Sequence, residues 1–146
     1  MKKENITSSS VQTKKLGEKF AKEILAKKSK KKSFVIGLEG ELGGGKTTFI
    51  QGFAKGLDVK EKILSPTFVI LKKFKIKDKN FYHIDCYRIQ KSKELLSLGF
   101  KEIISNPKNI VTIEWADKVK KIMPKNTLWI QFEFINEKTR KITTKT

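Results

Sequence analysis

The sequence is poor in several residue types that mark particular classes of protein. Its one cysteine is Cys86, so no disulfide can form within the chain and nothing favours an oxidising compartment. No apolar run approaches the roughly 20 residues of a membrane-spanning helix. Polar residues follow the basic start Met1-Lys2-Lys3, where a secretory signal carries an apolar run of about 7 to 15 residues. We therefore expect a cytoplasmic protein with no membrane contact and no disulfide partner.

Arginine is almost absent, although the chain is strongly basic. Of its 33 basic residues only Arg88 and Arg140 are arginine, and with 15 acidic residues the formal net charge is +18. Such a charge favours a polyanionic partner such as RNA. A dispersed coat of lysine, however, also serves solubility and binds polyanions without specificity. A basic RNA-binding module therefore stays open as an alternative function.

The apolar content predicts one packed core. Hydrophobic residues make up 38% of the 146 residues, which suits a single domain spanning residues 1–146. Hydrophobic spacing predicts helices over residues 8–28, 48–57 and 92–98. Short apolar runs predict strands over residues 34–38, 68–76, 80–87, 110–115, 127–135 and 140–143. The polar turn at 77–79 favours an antiparallel hairpin beside the other strands, so we expect an α/β fold with a mixed sheet.

The most specific motif is glycine-rich and lies between a predicted strand and a predicted helix. Residues 40–47 read Gly-Glu-Leu-Gly-Gly-Gly-Lys-Thr and match the phosphate-binding pattern G-x-x-x-x-G-K-[ST]. Glycine lets backbone amides wrap around phosphate oxygens, and the next helix points its N-terminal amides at the same anion. Lys46 would supply positive charge to the β and γ phosphates, and the Thr47 hydroxyl would ligate Mg²⁺. We therefore predict a P-loop that binds and hydrolyses ATP.

Two carboxylates lie near the carboxyl ends of predicted strands and are candidates to complete this site. P-loop enzymes usually hold Mg²⁺ with an acidic group at the carboxyl end of a neighbouring strand, and Glu114 ends such a run. Asp85 ends another, and is a candidate to order the attacking water or the water shell of the metal. The structural alternatives are a surface strand end for Glu114 and a pair with arginine or backbone for Asp85. Which carboxylate polarises the water stays open at this point.

Other residues near these motifs allow two interpretations each. His83 shares a strand face with Asp85 by alternation, and we interpret it as a satisfied core histidine rather than an acid–base group. Arg88 suggests a place where a planar, bidentate fork is needed. The segment Ser65-Pro66-Thr67-Phe68 is either a nucleotide-sensing loop or a turn that opens a strand. Trp115 either contacts the site or packs in the core.

These motifs together resemble the TsaE (YjeE) family. The resemblance is carried by residues 40–49, Ser65-Pro66-Thr67-Phe68, His83-Ile84-Asp85-Cys86-Tyr87-Arg88 and Ile113-Glu114-Trp115, whose order and spacing match from about residue 7 to residue 142. Members of this family are bacterial ATPases required for the threonylcarbamoyladenosine modification of tRNA. The resemblance implies a P-loop NTPase-like three-layer sandwich with a mixed central sheet.

The family also implies roles for individual residues. Mg²⁺ would be held by Thr47 and Glu114, and catalysis would depend on Lys46, Glu114 and Asp85. ATP would be bound by Thr13, Gly43, Gly44, Gly45, Lys46, Thr47 and Thr48. The partners implied are proteins of the TsaB and TsaD type, so the chain would meet tRNA only indirectly.

The main rival within the P-loop class is a small kinase that passes the γ phosphoryl group to a metabolite. Such kinases usually gather several arginines around the transferred group, and this chain has two in all. A GTPase is disfavoured as well, because the segment Asn106-Pro107-Lys108-Asn109 lacks the aspartate of a base-reading Asn-Lys-x-Asp motif.

Overall fold

Strands and helices follow one another along the chain. The computed structural model describes residues 2–27, 32–41, 45–63 and 70–145, and these ranges contain seven strands, four α-helices and one 3₁₀ helix. The strands are β1 (Lys2–Thr7), β2 (Phe34–Gly40), β3 (Leu71–Ile76), β4 (Lys79–Asp85), β5 (Asn109–Glu114), β6 (Leu128–Phe134) and β7 (Arg140–Lys145). The helices are α1 (Ser10–Ala26), α2 (Lys46–Gly56), α3 (Ser92–Leu96) and α4 (Phe100–Ser105), with the 3₁₀ helix at Ala116–Ile122.

The seven strands form one mixed sheet in the order β1-β7-β6-β2-β5-β4-β3. The four central strands β6, β2, β5 and β4 are parallel, whereas β7, β1 and β3 pair antiparallel with their neighbours. In this register Glu114 on β5 lies between Leu38 on β2 and Asp85 on β4. Both predicted carboxylates are therefore at the carboxyl edge of the parallel strands, where ligands bind in α/β folds.

Helices cover both faces of the sheet. On one face, Phe49 and Phe53 of α2 pack with strand residues such as Leu38 and Phe81, and α1 lies against α2. On the other face, α3, α4 and the 3₁₀ helix pack against the alternate residues of the same strands. The core of this second layer contains Val35, Ile84, Leu95, Phe100, Val111 and Val119. The three-layer α/β fold with a mixed sheet is thus confirmed.

Helices α1 and α2 touch through their backbones. A β-carbon added to Gly17 would lie 2.1 Å from Phe49 O, and one added to Gly52 would lie 1.9 Å from Lys14 O. Any side chain at either position would push the helices apart, so glycine is required on both sides of the crossing.

The predicted elements agree with the structure apart from their ends and three omissions. β4 ends at Asp85 rather than at residue 87, because Asp85 Oδ1 accepts a hydrogen bond from Tyr87 N and turns the chain. β5 ends at Glu114, because Trp115 has a φ of +58°. Residue 68, where a strand was predicted to begin, lies outside the described residues, and β3 is described from Leu71.

β1, α4 and the 3₁₀ helix were not predicted. In β1 only Thr7 is buried, so the strand lacks the apolar alternation on which prediction depends. The other two elements are too short to show a helical period. Within the described ranges, no helix is both long enough and apolar enough to span a bilayer.

Candidate functional site

Gly45 caps the N-terminus of α2 at the end of the glycine-rich motif. Its φ of +98° lies in the left-handed region that favours glycine, and its carbonyl accepts a hydrogen bond from Phe49 N at 2.9 Å. Thr48 is half-buried in the first turn of α2. Gly43 and Gly44, the other predicted loop glycines, lie outside the described residues. The N-terminus of α2 therefore lies directly after the glycine-rich motif, as the helix does in a strand–loop–helix phosphate site.

The Lys46 ammonium is buried against the backbone that leads into the loop. Its Nζ donates to Gly40 O at 2.5 Å and to Glu41 O at 2.9 Å, and the residue is only 5% exposed. Nζ also lies 4.2 Å from the centre of the Trp115 ring. Burial lowers the pKa of Lys46, while nearby carboxylates, Glu114 first among them, act in the opposite direction. The result is a poorly solvated cation at the carboxyl edge of the sheet, which favours an anionic ligand.

Thr47 and Glu114 lie side by side at this edge. Thr47 Oγ1 donates to Glu114 Oε1 at 3.1 Å. Glu114 is 3% exposed, and its second oxygen, Oε2, is buried without a hydrogen-bond partner among the described residues. A hydroxyl and a carboxylate with an unsatisfied oxygen are hard ligands of the kind that Mg²⁺ prefers. The residues present therefore fit a bound divalent cation.

This pair does not by itself form a complete metal cage. Among residues 2–27, 32–41, 45–63 and 70–145, no group of three or more His, Cys, Asp or Glu side chains could hold a metal ion. Mg²⁺ usually takes one or two protein ligands and fills its other positions with phosphate oxygens and water. The arrangement suits a metal that arrives together with a phosphate compound.

Asp85 is the cross-strand neighbour of Glu114. It is buried, and its Oδ1 accepts a hydrogen bond from Tyr87 N at 2.9 Å. Burial raises the pKa of Asp85, the Tyr87 hydrogen bond opposes that rise, and the charge of Glu114 adds to it. An aspartate with a raised pKa accepts a proton more readily than an ordinary one, as a general base must.

Two residue pairs further from the edge, on the same face of the sheet, His83 on β4 lies opposite Thr112 on β5. His83 Nδ1 lies 3.4 Å from Thr112 Oγ1, and its Nε2 lies 3.3 Å from Glu114 Oε2. The second distance suits an ion pair, yet the two atoms are not aligned for a hydrogen bond and both are buried without one. We interpreted His83 from the sequence as a satisfied core histidine; it is buried, but its Nε2 is not satisfied.

Trp115 connects β5 to the 3₁₀ helix in an unusual conformation. Its φ of +58° and ψ of +39° are left-handed, which costs a residue with a β-carbon on the order of 1 kcal/mol. This turn places its ring next to Lys46 Nζ and 5.3 Å from the ring of Tyr87. Strain of this kind concentrates at functional sites. Trp115 also packs against the core of the second layer, so the structure shows both packing and contact with Lys46.

A second group of side chains lies beside Gly45. A β-carbon added to Gly45 would lie 3.6 Å from Thr13 Cγ2 and 3.7 Å from Arg140 Cγ. The Thr13 hydroxyl shares a hydrogen bond of 2.8 Å with the Thr7 hydroxyl, which fixes α1 to β1. The Arg140 guanidinium lies 4.6 Å from the centre of the Phe134 ring. The structure thus brings Thr13, predicted from the family resemblance, to the start of α2.

Arg140 was not predicted as a site residue. Arginine is rare in this chain, and this rarity could have identified Arg140, but it was considered only for Arg88. Arg88 is exposed in the turn after β4. The predicted sensor segment Ser65-Pro66-Thr67-Phe68 lies outside the described residues.

Comparisons with known proteins agree with the family resemblance. The model of the family described as "Threonylcarbamoyl adenosine biosynthesis protein TsaE" matches residues 7–142. The chain is 33% identical over 121 residues to the tRNA threonylcarbamoyladenosine biosynthesis protein TsaE of Haemophilus influenzae, covering 83% of this chain and 75% of that protein. It is 37% identical over 109 residues to the Bacillus subtilis protein of the same name, covering 75% of this chain and 67% of that one.

A solved structure is similar over nearly the whole chain. The crystal structure of Bacillus subtilis YdiB superposes with a TM-score of 0.76 at 29% sequence identity, covering 99% of this chain and 84% of that one.

Proposed function

Because this chain belongs to the TsaE family of tRNA threonylcarbamoyladenosine biosynthesis, we propose that it is an ATPase that binds ATP and Mg²⁺ between β2 and α2. One domain, residues 1–146, would carry the activity. The observation that supports this most is the contact of 3.1 Å between Thr47 Oγ1 and Glu114 Oε1, with the buried Lys46 ammonium close by. A threonine hydroxyl, a strand-end carboxylate and a lysine are the side chains that a P-loop ATPase directs at its metal and phosphates.

Lys46 would bind the phosphates. Its ammonium is held by two backbone carbonyls, Gly40 O and Glu41 O, so its position is set before a ligand arrives. A prepositioned, poorly solvated cation stabilises negative charge on phosphate oxygens more strongly than a lysine in water does. Gly43, Gly44, Gly45 and Thr48 would add backbone and hydroxyl donors, as in other P-loops.

Thr47 and Glu114 would hold Mg²⁺. When bound, the ion would neutralise charge on the β and γ phosphate oxygens. The contact of Glu114 Oε1 with the Thr47 hydroxyl supports this assignment, since the two groups present hard oxygen ligands side by side.

Asp85 would orient the attacking water. The water oxygen attacks the γ phosphorus, the bond from that phosphorus to its bridging oxygen breaks, and ADP leaves with the electron pair. Asp85 accepts the hydrogen bond, and then the proton, from the water; its raised pKa suits that role. Glu114 is less suited to it, because its Oε1 is already engaged by Thr47.

Thr13 and Arg140 would contact the part of the nucleotide remote from the γ phosphate. Both lie beside Gly45, and the Phe134 ring next to Arg140 is about half exposed at 47%. An exposed aromatic ring with a guanidinium over it is a surface on which a nucleotide base can stack.

The partners would be proteins of the TsaB and TsaD type in the cytoplasm, with tRNA met only through them. Two relatives bear names that assign them to tRNA threonylcarbamoyladenosine biosynthesis. We expect slow hydrolysis by the isolated chain and faster hydrolysis in the complex. P-loop hydrolases often receive a catalytic arginine from a partner, and this chain has only two arginines of its own.

The test combines calorimetry of ATP binding with phosphate release, for the chain alone and with TsaB and TsaD. Lys46→Ala should reduce phosphate release to background. Lys55→Ala, the same change at an exposed lysine of α2, is the matched control and should match the unaltered chain. Fast turnover by the isolated chain would contradict the dependence on partners. If the chain bound tRNA tightly at about 0.2 M salt and did not bind ATP, the function would be that of an RNA-binding module and not that of an ATPase.

A further inference from the structure

Two buried polar atoms at the edge of the site face each other without an aligned hydrogen bond. They are His83 Nε2 and Glu114 Oε2, which lie 3.3 Å apart. Both residues are almost fully enclosed, so water does not readily satisfy either atom. Buried donors and acceptors without partners are rare in native proteins, and each needs an explanation. The two atoms are already within hydrogen-bond distance, so alignment and not separation is what they lack.

The surroundings of the ring decide which nitrogen carries the proton. A neutral imidazole has one N–H donor and one acceptor nitrogen. With the proton on Nδ1, the Nε2 lone pair would face the carboxylate of Glu114, and the two would repel. With the proton on Nε2, that N–H faces the carboxylate, and Nδ1 accepts a hydrogen bond from the Thr112 hydroxyl at 3.4 Å. The second arrangement is favourable at both nitrogens.

We propose that His83 is a positioning residue that donates from Nε2 to Glu114 Oε2, so that Oε1 stays turned toward Thr47 and the divalent cation. Thr112 would act one step further back: the carboxylate of Glu114 selects the Nε2–H tautomer, and the Thr112 hydroxyl, which can donate or accept, holds the ring in place through Nδ1. A metal-binding side chain is commonly oriented by a second residue in this way, and loss of that residue typically costs 10- to 100-fold in metal affinity. The inference rests on the proposed function, since Glu114 is a metal ligand only there.

The first test reads the ring directly and needs no metal, nucleotide or turnover. His83 is the one histidine of the chain, so ¹⁵N-histidine labelling of the intact protein gives the NMR signals of a single imidazole. We expect a proton on Nε2, with Nδ1 as the acceptor. A ring with its only proton on Nδ1 overturns the proposal. Thr112→Val removes the partner of Nδ1 at nearly constant volume, so we expect the Nδ1 signal to shift while the proton stays on Nε2.

The second test measures Mg²⁺ affinity by calorimetry in the presence of ADP. His83→Leu removes the donor at similar size, and we expect 10- to 100-fold weaker Mg²⁺ binding. ADP binding in EDTA and the melting temperature report on any general structural damage. His83→Gln keeps an N–H near the place of Nε2 and should restore affinity to within about 3-fold, which a purely space-filling role does not predict.

Thr143→Val is the matched control for Thr112→Val, because Thr143 is also buried but lies on β7, away from β4 and β5. The unaltered chain has to bind Mg²⁺ in the presence of ADP. If His83→Leu then binds Mg²⁺ with the same affinity, the positioning role is rejected, whereas the proposed ATPase activity is not. If the unaltered chain shows no Mg²⁺-dependent nucleotide binding, the proposed function fails and the role of His83 fails with it.

Discussion

The Lys46 ammonium lies 4.2 Å from the centre of the Trp115 ring, a cation–π distance at the carboxyl edge of the sheet. Two backbone carbonyls also accept hydrogen bonds from it and hold it in place. An ammonium has three N–H donors, so one donor remains for a ligand. In the proposed site, a phosphate bound to Lys46 would therefore bring negative charge next to the Trp115 ring.

We expect the fluorescence of Trp115 to change when ATP binds. The second tryptophan, Trp129 on β6, lies beside Lys120 rather than Lys46 and should not respond. The measurement is a titration of Trp129→Phe, which leaves Trp115 as the single reporter, beside the converse variant Trp115→Phe. A response that survives in Trp115→Phe and disappears in Trp129→Phe would exclude this arrangement.

Asp85→Asn should make the protein more stable and less active. Burial raises the pKa of Asp85, so the folded state prefers the neutral acid, and ionisation destabilises the fold as the pH rises through that pKa. Asparagine is neutral at every pH, and its Oδ1 can still accept from Tyr87 N. We expect a melting temperature about 2–4 °C higher, equivalent to about 1 kcal/mol, above that pKa.

The gain in melting temperature should shrink as the pH falls to the ordinary aspartate pKa of about 4 and should disappear below it, because Asp85 is then protonated in both the folded and the unfolded chain. Phosphate release should fall by at least about 100-fold, since a base or water-orienting group is lost, while ATP still binds. An Asp85→Asn variant that hydrolyses ATP at the normal rate would rule out our role for this residue.

Gly17→Ala should destabilise the chain strongly. The new β-carbon would lie 2.1 Å from Phe49 O, and a backbone oxygen cannot move aside as a side chain can. We expect a loss of about 3 kcal/mol or more, at the upper end for overpacking, measured by urea unfolding. Lys15→Ala on the exposed side of α1 is the control and should change stability by less than about 0.5 kcal/mol. A Gly17→Ala chain as stable as the control would show that the helices can separate freely.

Cys86 should resist thiol reagents in the folded protein. Burial raises the pKa of the Cys86 thiol to about 12 and leaves the residue with no exposed surface. At pH 8 the thiol is therefore not ionised, and a reagent does not reach the sulfur. We expect negligible labelling by a chromogenic disulfide over an hour, and full labelling after unfolding in guanidinium. Rapid labelling under native conditions would show that the end of β4 opens readily.

The order of elements and the position of the carboxylates could be predicted from the sequence. Asp85 and Glu114 each end an apolar run, and the carboxyl ends of parallel strands meet at one edge of a sheet. Lys46 and Thr47 were predictable because the motif fixes their place relative to α2.

Contacts that depend on register or on distant parts of the chain could not be predicted. That His83 lies against Glu114 follows from the pairing of His83 with Thr112, which no local pattern encodes. Arg140 reaches Gly45 only because β7 joins the sheet beside β6 and its antiparallel course brings Arg140 to the edge where α2 begins. β1 was missed for a related reason: it is fixed by its pairing with β7 and buries little of its own surface.

The glycine crossing of α1 and α2 has a mechanical consequence for ligand recognition. α1 carries Thr13 and α2 carries Lys46 and Thr47, and the two helices meet main chain to main chain at Gly17 and Gly52. At these two positions main chain, and not the end of a side chain, sets how closely the helices approach. The distance from Thr13 to Lys46 and Thr47 therefore depends on backbone contact, which adjusts less easily than contact between side chains.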